Sequence, residues 1–259
     1  MTAGNPQHPI DTSKPHPARV YDYLLGGKDH YLADRELGEK MGDFIRVGAK
    51  QNRAFMHRAV AWTARKGIDQ YLDIGTGIPT EPNLHQIVQQ IVPAARVVYA
   101  DNDPIVLRHA EALLVSASEG ATHYIEADVR DPLAILDHAR TFLDFSRPVT
   151  LSLVAIMHFI LDEEDPHALV RTLVGQLPPG SYLVLAQASL DSLPEAGEVA
   201  RTYSSRIPFQ PRTRADITRF FDGLDLVEPG VVTGPEWYQE PPAPEMTPYP
   251  GYVGVARVP

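Results

Sequence analysis

From Gln70 to the C-terminus, short apolar runs alternate with helix-patterned stretches, and this alternation constrains the fold more than any other feature. QYLDIG, ARVVYADND, THYIEADV, PVTLSLVAIMHFI, YLVLAQAS, LDLVEPGVV and YVGVARV read as strands. The segments between them carry helix-start signals. Asp103-Pro104 and Asp165-Pro166 each pair a capping carboxylate with a proline in the first helical turn. Thr213 and Asp216 resemble a capping box in which aspartate replaces the usual Glu or Gln. Strands that are apolar along their whole length are covered on both faces, and strand–helix repetition builds such sheets mostly from parallel strands. The fold class is therefore α/β, with PVTLSLVAIMHFI as its buried central strand. PEWYQEPPAPEMTPYP reads as a proline-rich loop before the last strand.

Residues 1–66 follow a different pattern and are expected to form an N-terminal arm and helical cap, with residues 67–259 as the main α/β domain. MTAGNPQHPIDTSKPHP has no apolar core, so it reads as an extended arm rather than a secretory signal. Pro17 suits the first turn of a helix and Gly26-Gly27 its end. A second helix is expected from about Tyr31 to Met41. A third, from about Ala49 to Lys66, carries Phe55, Ala59 and Trp62 near helical spacing. The paired glycines allow a sharp bend, so that the following helix can fold back over a pocket.

Ligands of open α/β sheets bind beyond the carboxyl ends of the strands, where the strand order reverses. The segments at those ends are DIGTGIPT (73–80), DND (101–103), DV (128–129) and MHF (157–159). Asp73, Gly75 and Gly77 give D-x-G-x-G, a turn that lets the backbone approach a ligand closely. A dinucleotide needs G-x-G-x-x-G/A there; Thr80, preceded by Pro79, stands at the third small position, so that fingerprint is degraded. S-adenosylmethionine carries no phosphate. It needs glycines beside its methionine part, an acid at the next strand end for the ribose hydroxyls, and polar groups for the adenine. Asp101 ends the second strand and Asp128 the third. Asp101 is expected to accept both ribose hydroxyls, Asn102 to line the adenine side, Asp128 to accept from the adenine amino group, and Val129 to pack beside it.

The segments DTSKPHPARVYDYLLGGKDHYLADRE, NRAF, YLDIGTGIPT, VVYADNDPIVL, DFSRPV and RTRADITRFFDGLDLVEPGVV together resemble one family. It is a family of S-adenosylmethionine-dependent methyltransferases found mainly in actinobacteria and long catalogued as a domain of unknown function. The resemblance runs from about Asp11 to Arg257. It implies a class I methyltransferase, Rossmann-like fold: a seven-stranded, mostly parallel sheet whose last strand is antiparallel. It implies S-adenosylmethionine as cofactor and S-adenosylhomocysteine as product, and names no acceptor. Pro79 departs from the general methyltransferase glycine motif and fits this family's version.

Charge and composition narrow the acceptor. The net charge of −10 argues against a nucleic-acid substrate, whose phosphates demand a basic face. No apolar run approaches the length of a membrane span. The chain has no cysteine, and its ten histidines show no metal spacing, so no metal site is expected. A small-molecule acceptor and a cytoplasmic location follow as expectations. His158, beyond the apolar run LSLVAIM, is the candidate general base for an acceptor hydroxyl or amine; a hydrogen-bonded packing role is the competing reading. Arg53 is a candidate bidentate clamp for the cofactor carboxylate, or else part of a structural ion pair. Lys28 reads as solvated. Arg201, Tyr203 and Phe209, in DSLPEAGEVARTYSSRIPFQPR, are candidates for the acceptor pocket. Residues from about 11 to 45 are expected to form a lid ordered by the cofactor, with Tyr23 facing the sulfonium and Arg19 reaching the methionyl carboxylate. Two other functions stay open: a non-catalytic sensor of the same cofactor, and a nucleotide-dependent oxidoreductase.

Overall fold

The structure, a computed structural model, describes residues 11–113, 116–191, 193, 196–238 and 249–259. The start of the expected N-terminal arm and residues 239–248 of the proline-rich segment lie outside these. One sheet holds seven strands: β1 (Gln70–Ile74), β2 (Arg96–Asp101), β3 (Ala121–Glu126), β4 (Thr150–Val154), β5 (Tyr182–Ala188), β6 (Asp225–Leu226) and β7 (Gly251–Arg257). Their order is β3-β2-β1-β4-β5-β7-β6. The first five pair in parallel, and β7 runs antiparallel between β5 and β6. The order reverses between β1 and β4, which sets their carboxyl ends side by side.

Successive residues of β1 feed opposite layers, as the period of a strand requires. Leu72 and Ile74 join the apolar layer that holds Ile135, Leu136, Val170, Leu173, Ile217 and Phe220. Those residues come from α6 (Pro132–Ala139), α7 (Pro166–Val174), α9 (Arg214–Thr218) and the helical turn after it. Tyr71 joins the opposite layer, with Phe55, Ala59 and Val60 of α3 (Asp43–Arg65) and Leu84 and Val88 of α4 (Leu84–Gln89). The helix α5 (Pro104–Leu113) follows β2.

A third apolar cluster stands apart from both layers. It joins Val20 and Leu24 of α1 (Pro17–Leu25), Leu37 of α2 (Leu32–Lys40), Met41, Ala49, Tyr203 of α8 (Gly197–Ser204), and Ile207. The motif GGKDH builds the corner that makes this cluster possible. Gly26 caps α1 in the left-handed region at φ 87°. A Cβ on Gly27 would lie 1.9 Å from the Asp22 carboxylate. Asp22 in turn accepts from the Asp29 N–H at 2.9 Å and lies 3.1 Å from His30 Nδ1.

Three elements differ from the sequence expectation. The third helix starts at Asp43 rather than Ala49, running through Gly48, whose bare Cα packs on Pro250. The apolar run 148–160 is not one strand: β4 ends at Val154, Ala155 turns at φ 60°, and Met157–Phe159 form a single 3-10 turn. The run LDLVEPGVV pairs only at Asp225–Leu226 and through an isolated bridge from Val232 to Val253, with Pro229 and Gly230 (φ 86°) breaking it.

Candidate active site

The strand ends on either side of the switch point open into one cavity of about 500 Å³. Asp73, Gly75, Gly77, Asp101, Asn102, Asp128 and Val129 all line it, so the sheet brings these expected cofactor residues together. Gly75 (φ 75°) and Gly77 (φ 68°) take left-handed backbone. A Cβ on Gly75 would lie 2.7 Å from the Ile156 side chain, whereas one on Gly77 would meet nothing within 4 Å. Gly77 thus leaves open room at the carboxyl end of β1.

Asp101 is held by backbone. Its Oδ2 accepts from the Gly77 N–H at 2.8 Å and its Oδ1 from the Asp103 N–H at 2.9 Å. Burial raises its pKa and these bonds work against the rise. Each oxygen keeps a further lone pair for a hydroxyl donor. The Asp128 carboxylate accepts from Asn102 Nδ2 at 2.8 Å and from the Arg130 N–H at 2.9 Å. Burial works to raise its pKa, but these bonds and the Arg130 charge outweigh it and hold it below the ordinary range.

Asp73 is the electrostatic anomaly of the site. Burial pushes its carboxyl up to about 6, against the pull of the Ser152 hydroxyl, the Arg53 charge and the Thr76 hydroxyl. Arg53 lines the cavity, with Nη2 donating to the carbonyls of Thr80 and Pro82. Its Nε is buried without a partner among the described residues, which leaves one N–H for an anionic group at the cavity. A sulfonium-bearing amino acid joined to a nucleoside matches this donor set: a guanidinium near its carboxylate, carboxylates at the two strand ends, and Ala127 and Val129 as apolar cover for a base.

The N-terminal segment borders the cavity, but not through the two residues expected. The helix α1 does line the cavity, through Pro17, Ala18, Val20, Tyr21 and Leu24, but Tyr23 and Arg19 do not. Tyr23 packs edge-on to His30 at 5.0 Å, and its ring would collide with any side chain at Gly38. Its cation partner is Arg46, 4.3 Å from the ring centroid. Arg19 is buried, with Nε 3.2 Å from the Asp34 carboxylate and Nη2 donating to the Lys14 carbonyl at 2.8 Å. Of the two α1 tyrosines, the one that faces the cavity is Tyr21. Its hydroxyl donates to the Ala49 carbonyl at 3.0 Å and accepts from Asn52 Nδ2 at 3.1 Å. His16, also on the lining, places Nδ1 2.9 Å from Asp103 Oδ2 and so ties this segment to the β2 end.

His158 reaches the cavity from the 3-10 turn rather than from a strand end, positioned by the left-handed Ala155. Its Nδ1 accepts from the Ala188 N–H at 3.4 Å. Burial, with the Arg212 charge beside it, pushes its pKa down to about 3. The neutral ring then carries its proton on Nε2, which presents a donor to the cavity rather than the free lone pair that the expected base role requires. Of the other candidates, Tyr203 and Phe209 line this end of the cavity, while Arg201 is exposed and does not. Sequence reading missed Tyr21, Gln187 and Arg206, which do. The available signal was a lone amide in the otherwise apolar strand YLVLAQA. Among the described residues no cluster of His, Cys, Asp or Glu is placed to hold a metal, and no helix is long and apolar enough to cross a membrane.

Comparison with known proteins agrees with this fold. No curated protein matches the chain. A DUF574 family protein from Streptomyces avermitilis is 47% identical, with a TM-score of 0.93 over 97% of this chain and 100% of its own. A candidate methyltransferase from Thermobifida fusca is 38% identical, with a TM-score of 0.87 over 99% of each chain. The plantazolicin methyltransferase BpumL, solved with S-adenosylhomocysteine, is 11% identical and shares the fold, with a TM-score of 0.55 over 93% of this chain and 96% of its own. The S-adenosyl methyltransferase family model matches residues 3–259, and the chain belongs to that family.

Proposed function

We propose that this S-adenosylmethionine-dependent methyltransferase acts on a small molecule held in the apolar end of the cavity. The observation that carries this reading is the continuity of the cavity. It runs from the glycine turn and Asp101 past Ile156 to Leu24, Ile45, Phe159, Tyr203, Ile207 and Phe209. A sensor of the cofactor alone needs no such extension. The net charge of −10 supports a small molecule over a nucleic acid.

S-adenosylmethionine supplies an activated methyl group on sulfur. The protein's own work is to bind, align and exclude water. In this reading Asp101 accepts from the ribose hydroxyls, Asn102 and Asp128 border the adenine, Gly75 and Gly77 let the backbone approach, and Arg53 Nε meets the carboxylate. Alignment of reacting atoms contributes up to roughly 7–11 kcal/mol in well-ordered cases. Residues 11–66 serve as a cap, with α1 over the acceptor end. Titration calorimetry with S-adenosylmethionine, followed by a metabolite panel scored for S-adenosylhomocysteine, tests the reading. Binding and acceptor-dependent product formation are expected. Binding without turnover on any small molecule would favour the sensor.

A further inference from the structure

At the acceptor end of the cavity the polar groups are few and oddly matched. Gln187, near the carboxyl end of β5, lines the cavity and is 2% exposed. Its Nε2 donates to the Gln210 carbonyl at 3.0 Å, which fixes the orientation of the amide. Its Oε1 is buried and has no partner among the described residues. A buried carbonyl oxygen left unpaired is costly, and native structures rarely keep one without a reason. Gln210 also donates through its N–H to the His158 backbone carbonyl at 2.7 Å. Gln187 and His158 both line the cavity and make a small constellation there: an oxygen that lacks a donor, and a donor.

The same constellation holds no base. His158 already carries its proton on Nε2, and the carboxylates on the cavity wall are Asp73, Asp101 and Asp128, all at the cofactor end. A nucleophile that must lose its proton to react, such as an alcohol or a phenol, finds nothing among the described residues here to take it. An amine attacks through its neutral lone pair and keeps its hydrogens, and one of those hydrogens is what Gln187 Oε1 lacks.

We propose that the acceptor is a neutral amine on an apolar body, and that Gln187 positions it by accepting an N–H hydrogen bond through Oε1. The proposal rests on the methyltransferase reading above. In the step it describes, the amine lone pair forms the new N–C bond while the S–C bond breaks with its electron pair on sulfur. The products are S-adenosylhomocysteine and an N-methylammonium ion. The ammonium proton stays hydrogen-bonded to Gln187 Oε1 and passes to water after release. His158 Nε2–H is left to donate to a second polar atom of the acceptor.

The experiment uses the full chain with S-adenosylmethionine and pairs of compounds on one skeleton: benzylamine, phenethylamine, tryptamine and decylamine, against the matching alcohols and phenols. Product is read as S-adenosylhomocysteine and as a methyl on nitrogen by mass spectrometry. Turnover of amines and not of their partners is expected. In Gln187→Met, kcat/KM for the best amine should fall about ten- to hundredfold. The calorimetric affinity of that amine for the S-adenosylhomocysteine complex should fall alike. Cofactor affinity should hold, and the melting temperature should change little, because the variant gives up the hydrogen bond to Gln210 together with an unpaired oxygen. Preference for alcohols or phenols, failure of every amine while the cofactor binds normally, or a Gln187→Met variant that handles amines like the parent overturns the proposal. Failure of the parent protein to bind S-adenosylmethionine strikes the underlying methyltransferase reading instead.

Discussion

The two ends of the cavity are built by different rules. At the cofactor end every lining residue singled out above, from Asp73 to Val129, lies within three places of the end of β1, β2 or β3. Its carboxylates Asp101 and Asp128 are held by backbone N–H groups, Asp101 by Gly77 and Asp103 and Asp128 by Arg130. At the acceptor end the walls come from α1, the start of α3, the turn after β4 and the segment around α8. They are mostly apolar, and many belong to a cluster separate from the layers that cover the sheet. In the proposed reading, sheet register fixes recognition of the cofactor and packing of appended helices shapes the acceptor chamber. Substitutions should therefore separate into those that change cofactor affinity and those that change only packing or acceptor handling.

The largest separation is expected at Asp101. Asp101→Ala should weaken S-adenosylmethionine about ten- to hundredfold, the scale of a hydrogen bond to a charged group. Calorimetry giving an unchanged affinity would remove Asp101 from the cofactor end. Asp73 tests the electrostatics of the same end. Its folded pKa of about 6 lies above the ordinary value of 3.8, so the native state binds more protons between them. The stability this proton provides is present below pH 4 and is lost as pH rises through 6. Asp73→Asn should thus melt higher than the parent above pH 6, by about 2–3 kcal/mol at most, with the gap closing toward pH 4. Parallel melting curves from pH 4 to 8 without cofactor would show an ordinary carboxyl there.

Smaller effects probe the other end. Tyr23→Leu should cost about 1–2 kcal/mol through lost contacts with His30 and Arg46 and leave cofactor affinity within about twofold. A drop in affinity with normal stability would return Tyr23 to the ligand. With His158 neutral throughout, the pH–rate profile on an identified acceptor should show no imidazole inflection between about pH 5 and 8. A basic limb that moves in His158→Gln would make it a base after all. Arg201→Ala, on the outer face of α8, should change stability by less than about 0.5 kcal/mol and leave turnover alone.

The same division explains what could be read from the sequence. Strand ends are marked by an apolar run that stops at glycine or aspartate, so Gly75, Gly77, Asp101 and Asp128 were legible from local pattern. The acceptor end had no such mark. Two tyrosines two residues apart on one helix must face different ways, but only the Tyr23–Gly38 contact decides which, and it spans separate elements. The run LSLVAIMHFI stays apolar through the turn at Ala155 because Met157 and Ile160 are buried in the same layer as β4. Hydrophobicity alone could not place the end of that strand. The protonation of His158 depends on the Ala188 N–H and on Arg212, thirty and more residues away.

The apolar cluster that joins α1, α2, α8 and Ile207 has a consequence for descent. Its members pack on one another rather than within either layer of the sheet. Changes at sites that share no contacts add nearly independently. A lineage can therefore exchange Leu24, Met41, Tyr203 or Ile207 for side chains of other shapes without disturbing the strands that hold the glycine turn and Asp101. Such a chain can keep one cofactor while its acceptor drifts from one species to the next, and diversification of substrate would leave its record in α1 and α8 long before it reached the sheet.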